Sequence, residues 1–164
     1  MKKKNRNTLI LIFIIAVLIA IGFGLNNQKE TVNFKEFSVE VPAGTKFMDL
    51  DLDDPTIKEG HRSRSDDLTI TSFNKQYIEN EYYSQNGEKI DFTKSSIENM
   101  TQDKANNVTK LSDKLTRCIN TQVIDGANDT DVAVIYHDDT HYIIVEGGDV
   151  EFITQIAQSI KIIE

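Results

Sequence analysis

The chain has 164 residues with 18 basic and 26 acidic side chains, one cysteine and no tryptophan. Its length excludes a multidomain enzyme or a polytopic transporter, and the single cysteine excludes a disulfide-stapled mini-protein. Residues 26–164 carry 14 basic and all 26 acidic side chains, a formal net charge of −12. Because such an acidic domain repels nucleic acid, no DNA or RNA partner is expected.

The first element in chain order is an apolar segment. Residues 9–25 are apolar except for two glycines, and residues 8–25 would span about 27 Å as a helix, close to the ~30 Å core of a bilayer. The basic cluster before it predicts a cytoplasmic tail over residues 1–7 and an extracytoplasmic part from residue 26 onward. We therefore expect a single-pass protein of the cell membrane. The alternative is a cleaved signal peptide, for which residues 20–22 (AIG) supply small side chains.

The segment after the anchor begins the exported part. Residues 26–32 (NNQKETV) are polar and predict a spacer, so the domain itself is expected over residues 33–164. Apolar and polar residues alternate over residues 37–41, which is typical of a half-buried strand, and proline and glycine follow. Residues 47–52 (FMDLDL) alternate again and suggest a second strand.

The next stretch mixes loop and strand signals. Residues 53–67 (DDPTIKEGHRSRSDD) are rich in charge and turn formers, and they predict a long exposed loop that contains His61. Residues 68–73 (LTITSF) alternate and predict a strand. Residues 75–92 are compatible with either a strand or a short helix, with a turn at Asn86 and the glycine after it.

A capping box predicts a helix in the middle of the chain. Ser95 and Glu98 have the spacing at which the serine accepts from an early backbone N–H and the glutamate reaches back. We expect a helix over about residues 96–105. Val108 and Leu111 continue its apolar spacing, although the two asparagines between argue for a break.

The second half of the chain carries the clearest periodicity. Strands are expected over residues 115–124, 131–136 and 142–146, the last two joined by a hairpin at residues 137–141 (HDDTH). Strands joined by hairpins and separated by few helices predict an antiparallel β-sheet packed with helices, an α+β fold, behind the N-terminal transmembrane helix. Cys118 falls inside a predicted strand and is expected to be a small buried side chain.

The chain is expected to end with a helix. Asp149 is a good N-cap, and Val150, Ile153, Ile156 and Ile160 form an apolar stripe at helical spacing. Residues 160–163 suggest a short closing strand.

Two stretches carry a family resemblance. Residues 37–44 (FSVEVPAG) resemble the opening strand, proline and glycine of PsbP-like domains. Residues 142–145 (YIIV) and 149–162 (DVEFITQIAQSIKI) resemble the last strand and final helix of the same domains. The resemblance implies an antiparallel sheet between helices that serves as a binding or accessory module. It carries over no catalytic residue.

The predicted hairpin holds the first candidate metal site. His137 and His141 stand on either side of a tight turn, and Asp139 lies between them. Imidazole and carboxylate are suitable ligands for Zn²⁺ or Cu²⁺, although a third fixed ligand is missing locally. The alternative is that the histidines and aspartates form only a solvated turn.

An acidic segment holds the second candidate. Asp125, Asp129 and Asp131 could supply several of the oxygen ligands that Ca²⁺ needs. The spacing does not follow the EF-hand pattern, and the alternative is solvation and turn formation.

No motif in the sequence predicts a reaction. A nucleophile elbow, a phosphate-binding glycine loop, a dinucleotide fingerprint and an HExxH helix are all missing. We interpret the chain as a non-enzymatic, membrane-anchored extracytoplasmic domain that binds a partner protein or a cell-envelope component and needs no cofactor. The alternative is a divalent-metal-binding or metal-dependent enzyme domain that uses His137, His141 and the acidic loops with Ca²⁺ or Zn²⁺.

Overall fold

The computed structural model describes residues 28–102, 106–124 and 127–163, which form ten strands and three helices. The strands are β1 (Lys29–Asn33), β2 (Phe37–Pro42), β3 (Met48–Asp49), β4 (Ile57–Ser63), β5 (Leu68–Phe73), β6 (Asn106–Ser112), β7 (Leu115–Ile124), β8 (Ala127–His137), β9 (Tyr142–Gly147) and β10 (Lys161–Ile162). The helices are α1 (Lys75–Asn86), α2 (Phe92–Gln102) and α3 (Val150–Gln158).

The strands build two antiparallel sheets. The larger sheet has the order β3-β4-β5-β9-β8-β7-β6, and the smaller has the order β1-β2-β10. All paired neighbours run antiparallel, as expected where short turns join consecutive strands. The predicted antiparallel α+β architecture is therefore confirmed for the described residues.

The main core lies between one face of the large sheet, α3 and the small sheet. Its buried members are Phe37, Val39, Val41, Leu68, Ile70, Val132, Val134, Tyr136, Ile143, Val145, Ile153, Ile156 and Ala157. The apolar stripe predicted for the last helix is thus buried on the sheet. Removing these side chains from water is the main source of stability for this fold.

The opposite face of the large sheet is covered in part by α2. Cys118, Ile135 and Tyr142 are buried there, and Phe92 and Ile97 of α2 pack against them. Cys118 is only 6% exposed, and burial raises the pKa of its thiol. The prediction of a small buried side chain is confirmed.

The helix beginnings differ in how well the sequence predicted them. Asp149 caps α3 as expected, since its carboxylate accepts from the N–H of Phe152 at 2.7 Å. The capping box proposed for α2 is wrong: Ser95 lies inside the helix, and the carboxylate of Asp91 accepts from Lys94 N–H at 3.1 Å. The earlier start lets Phe92 contact Tyr142, with ring centroids 4.8 Å apart.

The long loop predicted over residues 53–67 is wrong, because Ile57–Ser63 forms β4 between β3 and β5. Two of its buried side chains are polar and find polar partners. Glu59 lies 3.0 Å from a ring nitrogen of His61, and Ser63 Oγ donates to Asp66 at 2.6 Å. A strand with a polar buried face lacks the apolar alternation on which the prediction relied.

Three shorter segments also differ from the sequence prediction. Of residues 47–52, only Met48–Asp49 forms a strand. Met48 is 44% exposed, so the apolar side chains of this alternating segment do not form a fully buried face. The polar residues predicted as a spacer enter β1 from Lys29 onward and pair with β2. The ambiguous segment from Lys75 is a helix, which ends at Gly87 with a φ of 72°.

The predicted membrane anchor, residues 8–25, lies outside the described residues. Within the described part, no helix is long and apolar enough to cross a membrane.

Candidate functional site

A cleft of about 790 Å³ lies between α2 and the large sheet, beside the β8–β9 hairpin. We call it the α2 groove. One wall is formed by α2, the residue before it and the start of α1. The other wall is formed by β6, β7, the turn between them and the β8–β9 hairpin. The lining residues are Lys75, Asp91, Thr93, Lys94, Ile97, Glu98, Val108, Lys110, Asp113, Lys114, Thr116, His137, Asp138 and Asp139.

The position of α2 over the sheet depends on Tyr142. Its hydroxyl lies 2.6 Å from Ser96 Oγ, and its ring contacts the rings of Phe92 and Phe73. Burial raises the pKa of Tyr142 to about 12, against the opposing effect of the Ser96 hydrogen bond. The phenol is therefore protonated at neutral pH and holds one wall of the groove in place.

The interior of the groove combines hydroxyl and apolar groups. Thr93 and Thr116 are buried, while Ile97 and Val108 are half-buried. Thr93 Oγ1 is inaccessible to solvent and has no hydrogen-bond partner among the described residues. Such an orphaned hydroxyl is uncommon, because burying a polar group without a partner costs free energy.

His137 brings an imidazole to the same groove. It ends β8, opposite Tyr142 of β9, and none of the described residues hydrogen-bonds to its ring. Burial lowers its pKa, and the ammonium groups of Lys75 and Lys110 lower it further. The ring is therefore neutral at neutral pH and offers one donor and one acceptor.

Four lysines surround the groove, out of the ten that the structure describes. Lys75 Nζ donates to the carbonyl oxygen of Asp138 at 3.2 Å, and Lys110 Nζ lies 2.8 Å from Asp113. Lys94 Nζ lies 3.9 Å from Glu98, and Lys114 Nζ donates to the hydroxyl of Tyr136 at 3.5 Å and lies 4.0 Å from the Asp138 carboxylate. Each ammonium has three donors, so donor capacity remains on this rim.

Asp138 organises the hairpin at the groove's edge. One carboxylate oxygen accepts from the N–H groups of Thr140 at 3.0 Å and His141 at 2.8 Å, and it lies 2.9 Å from His141 Nδ1. Partial burial opposes ionisation, but these hydrogen bonds outweigh it and hold the pKa of Asp138 well below its usual range. The carboxylate is a structural acceptor that is already occupied.

The structure places the predicted zinc ligands in three different environments. His137 lines the groove, Asp139 is exposed at the hairpin tip, and His141 Nδ1 faces Asp138 at 2.9 Å. Across the described ranges, no group of three or more His, Cys, Asp or Glu side chains is placed to hold a metal ion. Zinc binding at the hairpin stays a prediction.

The predicted calcium ligands are mostly beyond what the structure describes. Asp125 and the side chain of Asp129 lie outside the described part, and Asp131 is exposed on β8. Calcium binding by this segment also stays a prediction.

Sequence analysis missed a histidine cluster on β4. The two ring nitrogens of His61 lie 2.9 Å from Asp49 and 3.0 Å from Glu59, and the ring stacks on Phe34 with centroids 4.1 Å apart. Lys35 N–H also donates to Glu59, so the cluster joins the β1–β2 turn to the large sheet. The spacing of Glu59 and His61, two residues apart on one strand face, was the signal that could have revealed it.

The hairpin contacts predict a contrast between two adjacent aspartates. Asp138→Ala should lower the free energy of unfolding by about 2 kcal/mol, because it leaves two backbone N–H groups and the His141 ring without their acceptor. Asp139→Ala removes an exposed side chain and should cost well under about 1 kcal/mol. Urea denaturation of both variants measures the difference, and equal losses would contradict the role assigned to Asp138.

Two groups near the groove predict that acid destabilises the domain. His137 has a pKa below its ordinary 6.5, and Asp138 a pKa below its ordinary 3.8, so the unfolded chain binds more protons than the folded one. Stability should therefore fall as the pH drops below about 6.5 through His137, and again below about 3.8 through Asp138. Unfolding free energies between pH 8 and 3 test this. His137→Gln should flatten the upper step and leave the lower one, and an unchanged upper step would count against His137.

Comparison with known proteins yields a likeness at the level of fold. The solution structure of cyanobacterial PsbP (CyanoP) from Synechocystis sp. PCC 6803 is similar to this chain with a TM-score of 0.45 and 8% sequence identity, covering 83% of this chain and 92% of that chain. This protein bears the PsbP name to which the two sequence stretches show a resemblance, and we draw no conclusion from the likeness on ligand or partner. No protein-family model matches the sequence, and no curated protein matches it either.

Proposed function

We propose that the chain is a non-enzymatic, membrane-anchored extracytoplasmic domain that binds a partner protein or cell-envelope component through the α2 groove. The observation that carries this proposal is a groove of about 790 Å³ in which the half-buried side chains of Ile97 and Val108 lie together with the imidazole of His137. A concave site that combines apolar contacts with a few convergent polar groups is the usual form of a binding site. The net charge of −12 over residues 26–164 argues against a nucleic-acid partner.

Site-specific photo-crosslinking in the native membrane tests this function. A photoreactive residue at Asp139, exposed on the groove rim, should give a discrete adduct. The same residue at Glu151, exposed on α3 across the sheet, is the control and should give none. Adducts of equal yield at both positions, or none at Asp139, would contradict binding through the groove.

The anchoring part of the proposal rests on the apolar run of residues 9–25. Fractionation of cells should recover the chain in the membrane fraction with residues 1–7 intact, because an uncleaved span of this length remains in the bilayer. N-terminal sequencing of the recovered protein checks this prediction. A soluble product that begins near Phe23 would instead identify the segment as a signal peptide.

A metal-binding or metal-dependent domain is the second candidate, favoured by one observation. The ring of His137 has no hydrogen-bond partner among the described residues, and Asp139 is exposed two residues away. Thermal melts with Zn²⁺, Ca²⁺ and EDTA separate the candidates. Zn²⁺ should raise the melting temperature if it binds at His137, Asp139 and His141. Ca²⁺ should raise the melting temperature if it binds at Asp125, Asp129 and Asp131. A melting temperature that is unchanged in all three would exclude this candidate.

A further inference from the structure

We propose that the edge of the large sheet at β3 is a second interaction surface, which takes an extended segment of a partner protein with alternating basic and apolar side chains. We call this surface, formed by residues 48–54 (MDLDLDD), the β3 edge. The inference goes beyond the proposed function, because β3 and β6 are opposite edges of the large sheet and the α2 groove lies beside β6.

The β3 edge leaves a row of apolar side chains partly uncovered. Met48 is 44% exposed and Leu52 is 43% exposed. Leu50 and Leu52 lie over Gly60 of β4, where a Cβ atom would meet Cδ1 of Leu52 at 3.0 Å and Cβ of Leu50 at 3.4 Å. Met48 pairs with Arg62, two residues from Gly60, and side chains two apart on a strand share a face. The three apolar side chains therefore lie on one face of the sheet edge.

The same seven residues carry four aspartates, at positions 49, 51, 53 and 54, and all four are exposed. Asp49 contacts the ring of His61 at 2.9 Å, on the face opposite the apolar row. Among the described residues, no lysine or arginine forms an ion pair with any of the four. Even with Lys46 and Arg62 beside it, the edge has more acidic than basic side chains.

The backbone of the β3 edge has a side that is open to another strand. Within the described ranges β3 pairs only with β4, and this pairing extends to Leu50, whose N–H donates to the carbonyl oxygen of Gly60 at 2.8 Å. The outward N–H and C=O groups of an edge strand can pair with an added strand. The opposite edge is less suitable, because β6 carries Lys110 and its register shifts between Lys110 and Ser112.

Charge and side-chain alternation together define the partner. A second copy of this chain is disfavoured at the β3 edge, because the aspartates of the two copies would face one another and repel. Basic side chains would be attracted to the same aspartates. Apolar side chains between them would cover Met48 and Leu52, since successive side chains of a strand point to opposite faces. An extended segment with alternating basic and apolar residues meets both requirements.

Fluorescence anisotropy with defined peptides tests this inference on the full chain in nanodiscs of phosphatidylcholine. Empty nanodiscs of the same lipid give the blank. The probe is a short acetylated peptide of alternating lysine and leucine, and it should bind. A peptide of the same composition, with its lysines and leucines in separate blocks, should bind about fivefold more weakly. A peptide of alternating glutamate and leucine should bind more weakly still.

Two apolar substitutions with a matched control test the apolar row. Leu52→Ser should weaken binding of the lysine–leucine peptide about fivefold, because it removes apolar surface that the peptide would cover. Met48→Ser is the second variant and should act in the same direction, in case Leu52→Ser lowers the urea midpoint. Tyr83→Ser removes a side chain that is 51% exposed on α1 and should leave binding unchanged.

Two double variants test the charge. Asp51→Asn with Asp53→Asn should weaken binding about fivefold, because each removes a charge that a lysine of the peptide would face. Glu88→Gln with Glu151→Gln removes the same two charges from other exposed positions and should have little effect. Equal weakening in the two double variants would mean that the peptide responds only to the net charge of the domain, and the proposal would be wrong.

The remaining outcomes also decide the matter. Tighter binding of the glutamate–leucine peptide, equal binding of the alternating and block peptides, or unchanged affinity in both Leu52→Ser and Met48→Ser would overturn the proposal. The crosslink at Asp139 reports on the α2 groove beside the opposite edge of the sheet. Failure of one surface therefore leaves the other standing.

Discussion

Ile156→Asp is expected to unfold the domain or bring it close to unfolding. Ile156 lies on α3 with 2% exposure, and it packs in the core with Val134 and Val145 of the large sheet. The substitution removes a buried aliphatic side chain and places a carboxylate where no partner is available. The loss should be at least about 4 kcal/mol, a large part of the ~5–15 kcal/mol that stabilises a typical domain.

Gln155→Asp is the matched control for this change. It introduces the same carboxylate one residue earlier, on the exposed side of α3. Gln155 donates to Glu151, one helical turn away, at 3.3 Å, and the change replaces this exposed bond with a like-charge pair, so the cost should stay below about 1 kcal/mol. Urea denaturation followed by circular dichroism measures both variants. A wild-type midpoint for Ile156→Asp would mean that α3 does not pack on the sheet.

Gly147→Ala is expected to destabilise the domain strongly, although it adds only one methyl group. Gly147 ends β9, and a Cβ atom there would collide with the backbone carbonyl oxygen of Asp67 and lie 2.7 Å from Cδ1 of Ile153. The backbone of the β4–β5 turn cannot move aside as a flexible side chain can. Asp67 already has a φ of 46°, in the left-handed region, and its carboxylate accepts a hydrogen bond from Gly148 N–H. We expect a loss of about 3 kcal/mol from this overpacking.

The neighbouring glycine supplies the comparison. A Cβ atom at Gly148 would meet Oδ2 of Asp67 at 3.0 Å, which is the end of a side chain and can move. Gly148→Ala should therefore cost less than about 1 kcal/mol. Urea midpoints of the two variants, with unchanged denaturant slopes, provide the measurement. Similar losses in both would show that the effect comes from glycine flexibility in a strand end and not from the contact with Asp67.

Local periodicity was sufficient to predict much of the fold. The alternation in β2, β5, β8 and β9 and the stripe in α3 were identified from the sequence, because these elements bury one apolar face and expose the other. The N-cap at Asp149 was also predicted, since capping needs only a side-chain oxygen beside the first backbone N–H groups.

Elements whose buried faces are polar could not be recognised in the same way. β4 was taken for a loop because its buried side chains Glu59 and Ser63 are polar and find their partners, His61 and Asp66, only in the folded chain. The start of α2 was misplaced because Asp91 and Ser95 are both acceptable caps, and the contact of Phe92 with Tyr142 favours the first. In both cases the deciding partner is contributed by the folded structure and not by the local pattern.

The candidate site shows the same division. The sequence by itself determined the acidic charge of residues 26–164, the apolar segment before it and the hairpin that carries His137. Only the tertiary structure brought His137 into the same groove as Thr93, which is 44 positions away in the chain, and left the hydroxyl of Thr93 buried without a partner among the described residues. The physical reason is that side-chain periodicity reports which face of an element is buried, whereas a groove forms between elements and depends on how they pack.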